Sequence, residues 1–426
     1  MKQEYMFALH EMAWQKNYVI ATYYLELPKE VNVIQKASAM VVGQTVGTWV
    51  PVPGITDEMR EKYMGRVVNV IDLPPSDLYG QTPEKEKEIY LLQIAYPPVN
   101  FGSQFPMMMT TLLGNDASTS VQVKLVDLQF PESFVSGFQG PKFGIEGLRK
   151  LTGVEKRPLV LNMIKPCTGF TPEVGAKIFY QAALGGVDFI KDDELLGSPE
   201  FCPNVERVKE YNKAAQAAYE KTGHQTIYIV NVTDRADKVL ENAKRVVEAG
   251  AKAIMVNYAA VGYSVLRSVS ESVNVPVLGH YASSGMFYEG VGSGMSFPIA
   301  SGKFPRLAGA DIVMMNTPYG GYPLKYQKYI QTAHELSLPY YGLKPAMPSL
   351  GGGVHPGMTE KYMKDLGTDI ILAPGGSIHG HPQGAAAGAK AMRQSIDAVM
   401  AGIPLDEAAK EHEELRIALD LWGYKK

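Results

Sequence analysis

From residue 160 onward the chain alternates short, wholly apolar runs with longer amphipathic ones. The apolar runs fall at 160–165, 187–191, 226–231, 253–257, 275–280, 311–315, 344–348 and 369–373. Their length and bias towards Val, Ile and Leu are those of strands buried on both faces. Between most of them lies a stretch of helical periodicity, such as 203–219, 236–249 or 356–366. The dipeptide Thr171-Pro172 adds an N-cap and a proline at the first helical position. Eight strand–helix units over about 250 residues predict a (β/α)8 TIM barrel. A doubly wound sheet would more often show about six strands and a Gly-x-Gly-x-x-Gly at its first turn, and neither is present.

The first third follows another rhythm. The β-branched and aromatic run 18–27 reads as a strand, 32–42 as a helix, and 88–96 and 121–128 as further strands. A strand, a helix and then more strands predict a smaller α+β domain over 1–145, ahead of a barrel over 146–426. The segment 405–422 reads as helices packed outside the barrel.

Composition narrows the picture. Of 426 residues 46% are hydrophobic and 20% charged, enough apolar material for a large core. Lys+Arg 41 against Asp+Glu 44 leaves a net charge of -3, which gives no support to a nucleic-acid partner. No run approaches the ~20 apolar residues of a membrane span, and Glu4 and Glu11 interrupt what a signal peptide would keep apolar. Two cysteines, Cys167 and Cys202, cannot build a disulfide framework. A reduced, cytoplasmic setting without membrane contact is the expectation.

In a barrel of this kind, polar groups just beyond the strands gather at one mouth. The second predicted strand runs into Lys191-Asp192-Asp193-Glu194. Asp193 and Glu194 are hard oxygen ligands suited to Mg2+, and Lys191 among them is either a paired cation or a modified lysine that has become a ligand. Lys165, closing the first strand, suits a phosphate-holding or acid–base role, or simply snorkels. His280 closes the fifth strand and is either functional or a packing residue. The loops after strands seven and eight carry Gly351-Gly352-Gly353 and Gly375-Gly376. Open backbone N–H groups there make an anion nest where such barrels hold phosphate, although tight turns alone also call for glycine. The histidines 379 and 381 lack a third ligand at zinc spacing.

These motifs resemble those of the ribulose bisphosphate carboxylase large-subunit superfamily, and more narrowly its RuBisCO-like proteins. The resemblance rests on Gly47-Thr48-Trp49, Tyr96-Pro97, the run from Phe143 to Arg149, the block from Gly185 to Glu194 and, more loosely, His379-Gly380-His381-Pro382. It implies a homodimer, capable of further assembly, in which residues of one chain complete the active site of the other. It implies that CO2 carbamylates Lys191, which then holds Mg2+ with Asp193 and Glu194. Lys165 and His280 would be catalytic, Thr48, Trp49 and Asn115 would come from the partner chain, and Gly375 and Gly376 would bind a phosphate of the substrate.

The departures from the carboxylase pattern decide the expected reaction. Cys167 stands where the carboxylase has the second lysine of Lys-Pro-Lys, Tyr281 replaces an arginine, and 317–322 lacks the lysine that grips CO2. Carboxylation of ribulose bisphosphate is therefore excluded on this resemblance. Three readings are left. The first is Mg2+-assisted enolisation or isomerisation of a phosphorylated keto compound, as in the methionine-salvage enolase of the same family, where a lysine stands at the position of Asn115. The second is decarboxylation of a 3-oxo sugar-acid phosphate, which needs no base. The third is a non-enzymatic paralogue in sulfur or stress metabolism, against which the retained Lys165, Lys191, Asp193 and Glu194 argue.

Overall fold

A computed structural model describes residues 3–47, 52–78 and 86–424. Contacts group Met1–Phe138 with Ser284–Ala300 as one compact unit, and Gln139–Ser283 with Ser301–Lys426 as the other.

The first unit is built on a five-stranded sheet. Four of its strands are β1 (Val19–Pro28), β2 (Arg66–Leu73), β3 (Lys87–Tyr96) and β4 (Lys124–Gln129), the predicted runs plus β2. Sheet order places β1 between β3 and β4, with β2 at the edge beyond β3. β1 runs antiparallel to β3 from Val19↔Tyr96 to Pro28↔Lys87. The alternation that marks β2 as a strand is broken by a register shift between Val67 and Asn69, which hides it from periodicity. The helix Val33–Gly43 is capped by Asn32, whose side chain accepts from Gln35 N.

The second unit is the closed, all-parallel barrel that the apolar runs predict. Its strands are β5 (Leu159–Met163), β6 (Phe189–Lys191), β7 (Ile227–Asn231), β8 (Ala253–Asn257) and β9 (Val277–His280). The chain then contributes β10 (Gly294–Met295) to the first unit, parallel to β4, before returning for β11 (Ile312–Met315), β12 (Met347–Leu350) and β13 (Ile371–Leu372). β9 pairs with β11 and β13 with β5, which closes the ring. Thr171 caps the helix Pro172–Leu184 by accepting from Val174 N, as the dipeptide predicts. The last segment forms two helices, Leu405–Glu411 and Glu413–Trp422. No helix among the described residues is long and apolar enough to cross a membrane.

Alternation along the strands sorts the barrel residues. Leu159 and Leu161, Ile227 and Ile229, Ala253 and Met255, and Ile312 and Met314 form one buried cluster with Phe189, Leu278, Met347 and Ile371. These are every second residue, so they fill the barrel interior. Residues of the other parity face the helical layer. Asp188, fully buried on that side, accepts from Arg157 Nη1 and Nη2 at 2.7 and 2.6 Å and from Val160 N at 2.8 Å. Burial alone would raise its carboxyl, but the Arg157 guanidinium, His224 and the backbone donor together outweigh burial and hold it at about 2.

This depressed value has a consequence for acid stability. The unfolded carboxyl titrates at about 3.9, so the contribution of Asp188 is fully present above that pH. It is lost as pH falls through the folded value of about 2. The loss is on the order of 2 kcal/mol. Urea midpoints should therefore fall more steeply between about pH 4 and pH 2 for the native protein than for Asp188→Asn; parallel slopes would refute the assignment.

Candidate active site at the barrel mouth

The inward parity that fills the barrel continues past the strand ends. Counting on from Phe189, Ile229, Met255, Leu278 and Met314 by twos gives Lys191, Asn231, Asn257, His280 and Asn316. All five are buried. The mouth is thus lined by polar side chains on the same faces that carry the core.

Lys191 is fully buried, with Nζ donating to Asp192 O at 2.9 Å and lying 3.6 Å from Glu194 Oε2. Burial pushes its ammonium down, against the pull of Glu194, Asp193 and Asp192. Lys165 Nζ donates to Asp193 Oδ2 at 2.7 Å and approaches Cys167 Sγ at 3.1 Å. Burial would lower Lys165 as well, but these two partners outweigh it and raise the ammonium. His280 accepts from Ala282 N at Nδ1, 3.1 Å, so its proton sits on Nε2, 3.5 Å from Glu194 Oε2. Burial and the Lys191 charge hold this imidazole well below the usual histidine range, in the neutral form. Its ring stacks on Tyr281 at 5.1 Å between centroids. The structure therefore brings Lys165, Lys191, Asp193, Glu194 and His280 into one cluster.

Asp192 is not part of it. Within the run of four charges Asp192 falls on the outward parity, fully buried against Arg207, Tyr228 and Asn231 N. Among the described residues, no three His, Cys, Asp or Glu side chains stand close enough to hold a metal ion on their own.

The glycine runs separate by cause. Gly352 and Gly353 have φ of +84° and +107°, so turn geometry alone requires them. The segment 317–322, beyond β11, docks here, with Gly321 N donating to Gly352 O at 2.9 Å. Gly375 is buried, and a Cβ on it would meet Met163 Cε at 3.2 Å and Lys165 Cε at 3.5 Å. Gly376 is exposed, has open space at the Cβ position and needs no unusual backbone angle. It is the glycine of the two runs that packing and turn geometry leave unexplained.

Other predicted residues lie elsewhere. Asn115 belongs to the first unit, exposed just before the helical turn Asp116–Val121. Thr48 and Trp49 lie outside the described residues. His379 Nε2 is 3.0 Å from Asn162 Oδ1, and His381 Nε2 is 3.1 Å from Glu414 O. The Tyr319 hydroxyl donates to Asp365 Oδ2 at 2.7 Å. Sequence reading missed the asparagines at the ends of β7 and β8. Strand parity from the neighbouring apolar residues was the signal that would have found them.

Known proteins match this chain along almost its whole length. The profile of the ribulose bisphosphate carboxylase large chain catalytic domain matches residues 144–422, and that of its N-terminal domain matches residues 7–134. A ribulose bisphosphate carboxylase-like protein of Archaeoglobus fulgidus is 45% identical over 419 residues, 97% of this chain and 95% of the relative. The 2,3-diketo-5-methylthiopentyl-1-phosphate enolase of Geobacillus kaustophilus is 38% identical over 407 residues, 95% of this chain and 98% of the enolase. The crystal structure of a rubisco-like protein from Alicyclobacillus acidocaldarius superposes with a TM-score of 0.88 at 35% identity, covering 95% of this chain and 100% of that one. With both of its units matched in order, the chain belongs to the ribulose bisphosphate carboxylase large chain family, as a RuBisCO-like protein related to that enolase.

Proposed function

We propose that this RuBisCO-like chain is a Mg2+-dependent enolase or isomerase acting on a phosphorylated keto compound, and not a carboxylase. The observation that carries the reading is the convergence of Lys191, Asp193 and Glu194 with Lys165 and His280 at the carboxyl ends of the strands.

The donor set fits the cation. Asp193 and Glu194 alone fall short of the roughly six oxygens that Mg2+ takes. A carbamate on Lys191 adds an anionic oxygen, and burial favours the neutral amine that reacts with CO2. Mg2+ held by this carbamate, Asp193 and Glu194 would supply a Lewis acid for the adjacent oxygens of a diketone or hydroxyketone. His280 keeps its Nε2 proton beside Glu194 and stays neutral, so it adds no cation to the site. The ion pair with Asp193, with Cys167 beside it, raises the Lys165 ammonium against burial. With that carboxylate engaged elsewhere, burial and a neighbouring cation would favour loss of the Lys165 ammonium proton to solvent, and the neutral Nζ would then take the proton from the carbon next to the carbonyl. The substrate phosphate rests against Gly376 and Gly375 beside Lys165, with Gly351, Gly352 and Gly353 supplied by the loop after the neighbouring strand β12. Cys167 and Tyr281 bring no charge for a second phosphate. By the family resemblance, Thr48, Trp49 and Asn115 of a second copy complete the mouth.

A second reading, decarboxylation of a 3-oxo sugar-acid phosphate, is favoured by one pair of facts. Asn115 has no basic nitrogen and Lys165 is raised, so the site as it stands is short of a base. One NMR time course in D2O with Mg2+ and bicarbonate separates the two, using phosphorylated diketones, 2-keto and 3-keto acids. Deuterium entering beside the carbonyl at constant carbon count is the expected result. Loss of the carboxyl carbon as CO2 would replace it with the second reading, and no change in any substrate would remove both.

A further inference from the structure

Glu194 sits in the loop beyond β6 with its side chain one-third exposed, so packing does little to fix it. Its backbone is held instead. Asn257 Nδ2 donates to Glu194 O at 3.0 Å, and Asn231 Nδ2 donates to the same oxygen at 3.3 Å. The two amides come from the ends of adjacent strands, β8 and β7, on the inward parity. Each is itself anchored. Asn231 Oδ1 accepts from Thr233 N at 3.0 Å and its own N–H reaches Asp192 Oδ2 at 2.8 Å. Asn257 N donates to Thr233 Oγ1 at 2.9 Å.

This arrangement also fixes which way the Asn257 amide faces. A carbonyl cannot donate, so the amide must turn its NH2 to Glu194 O and leave Oδ1 on the other side. That oxygen is buried and has no hydrogen-bond partner among the described residues. A buried acceptor without a partner is unfavourable, so the position is set for a donor that arrives with a ligand.

We propose that Asn231 and Asn257 are positioning residues that clamp the Glu194 carbonyl and thereby hold Glu194 in place as a cation ligand, with Asn257 Oδ1 accepting from the water that a hydrated cation brings. This rests on the reading of Lys191, Asp193 and Glu194 as a carbamate-dependent cation site. Partners behind the ligands typically change metal affinity by about 10- to 100-fold when removed.

The test uses Mn2+ as the probe, with free Mn2+ followed by electron paramagnetic resonance in bicarbonate buffer, alongside a thermal melt. Asn257→Leu keeps the volume and removes the amide, and its Mn2+ dissociation constant should rise about 10-fold or more. Val256→Ala is the control. Val256 is buried in the same strand on the opposite parity, so it should lower the melting temperature and leave Mn2+ affinity within about twofold. If Asn257→Leu does not fold, Asn257→Ala takes its place with the same expected weakening. Unchanged Mn2+ affinity in the folded Asn257 variant would overturn the clamp while leaving the cation site standing. A native protein that binds no Mn2+ with bicarbonate present would instead overturn the cation site, and the clamp with it.

Discussion

Asp193→Ala protein is expected to fold as the native chain does, to lose divalent-cation binding and to turn over at least about 10³-fold more slowly. The size follows from what the side chain does. Asp193 is one of two carboxylates at the mouth, and it is the partner that fixes Lys165 Nζ at 2.7 Å. Its loss removes a proposed cation ligand and sets free the side chain proposed to move the proton. Stability should change little, because Lys165 is 35% exposed on its side chain and reaches water once its partner is gone. Cation titration, turnover and a urea melt on the same preparation check all three parts; retained cation binding would refute the assignment of Asp193. The same variant tests whether the mouth is completed by a second copy. Asn115→Ala protein should also be slow, and mixing it with Asp193→Ala should restore activity, since a mixed dimer keeps one site intact. Proven mixed dimers without activity would remove the shared site.

The barrel was legible because its signal is redundant. Eight apolar runs of strand length, separated by helical periodicity, leave few alternatives, and the strands of the structure fall within a few residues of the predicted runs. β2 was not legible, because the register shift between Val67 and Asn69 breaks its alternation. Nor was the departure of Ser284–Ala300 to the first unit, since β10 is two residues long and gains its meaning from pairing with β4 far away in sequence. Within the site, the charged block was found as a block. What the string Lys191-Asp192-Asp193-Glu194 does not display is that strand alternation divides it. Lys191 continues the inward face of Phe189, while Asp192 continues the outward face of Asp188 and Ile190. The glycine runs showed the converse limit. Equal in sequence, they differ in cause, with positive φ at Gly352 and Gly353, close packing at Gly375 and open space at Gly376.

The division of that block makes its two aspartates opposite in effect. Asp192→Ala is expected to cost about 3–5 kcal/mol of folding stability, the range for breaking a buried ion pair from one side. Asp192 and Arg207 are both fully buried, with Arg207 Nη2 donating to Asp192 Oδ2 at 3.0 Å. The carboxylate also accepts from Tyr228 OH at 2.7 Å and from Asn231 N at 2.8 Å. Burial would lower the Arg207 guanidinium, but the Asp192 charge outweighs it and raises it. Without Asp192 the guanidinium keeps backbone acceptors, Gly197 O at 2.6 Å and Cys202 O, but it has no counter-charge while fully buried. Replacing both members, as Asp192→Leu with Arg207→Met, removes the stranded charge and should recover most of the loss, because apolar pairs often match or exceed the buried ion pair they replace. Urea unfolding of the two singles and the double decides it. A single Asp192→Ala loss under about 1 kcal/mol would show that water reaches Arg207 and that the pair is not dry. A double variant no better than the single would show that the hydrogen bonds to Tyr228 and Asn231, rather than the counter-charge, carry the stability of the β6 end.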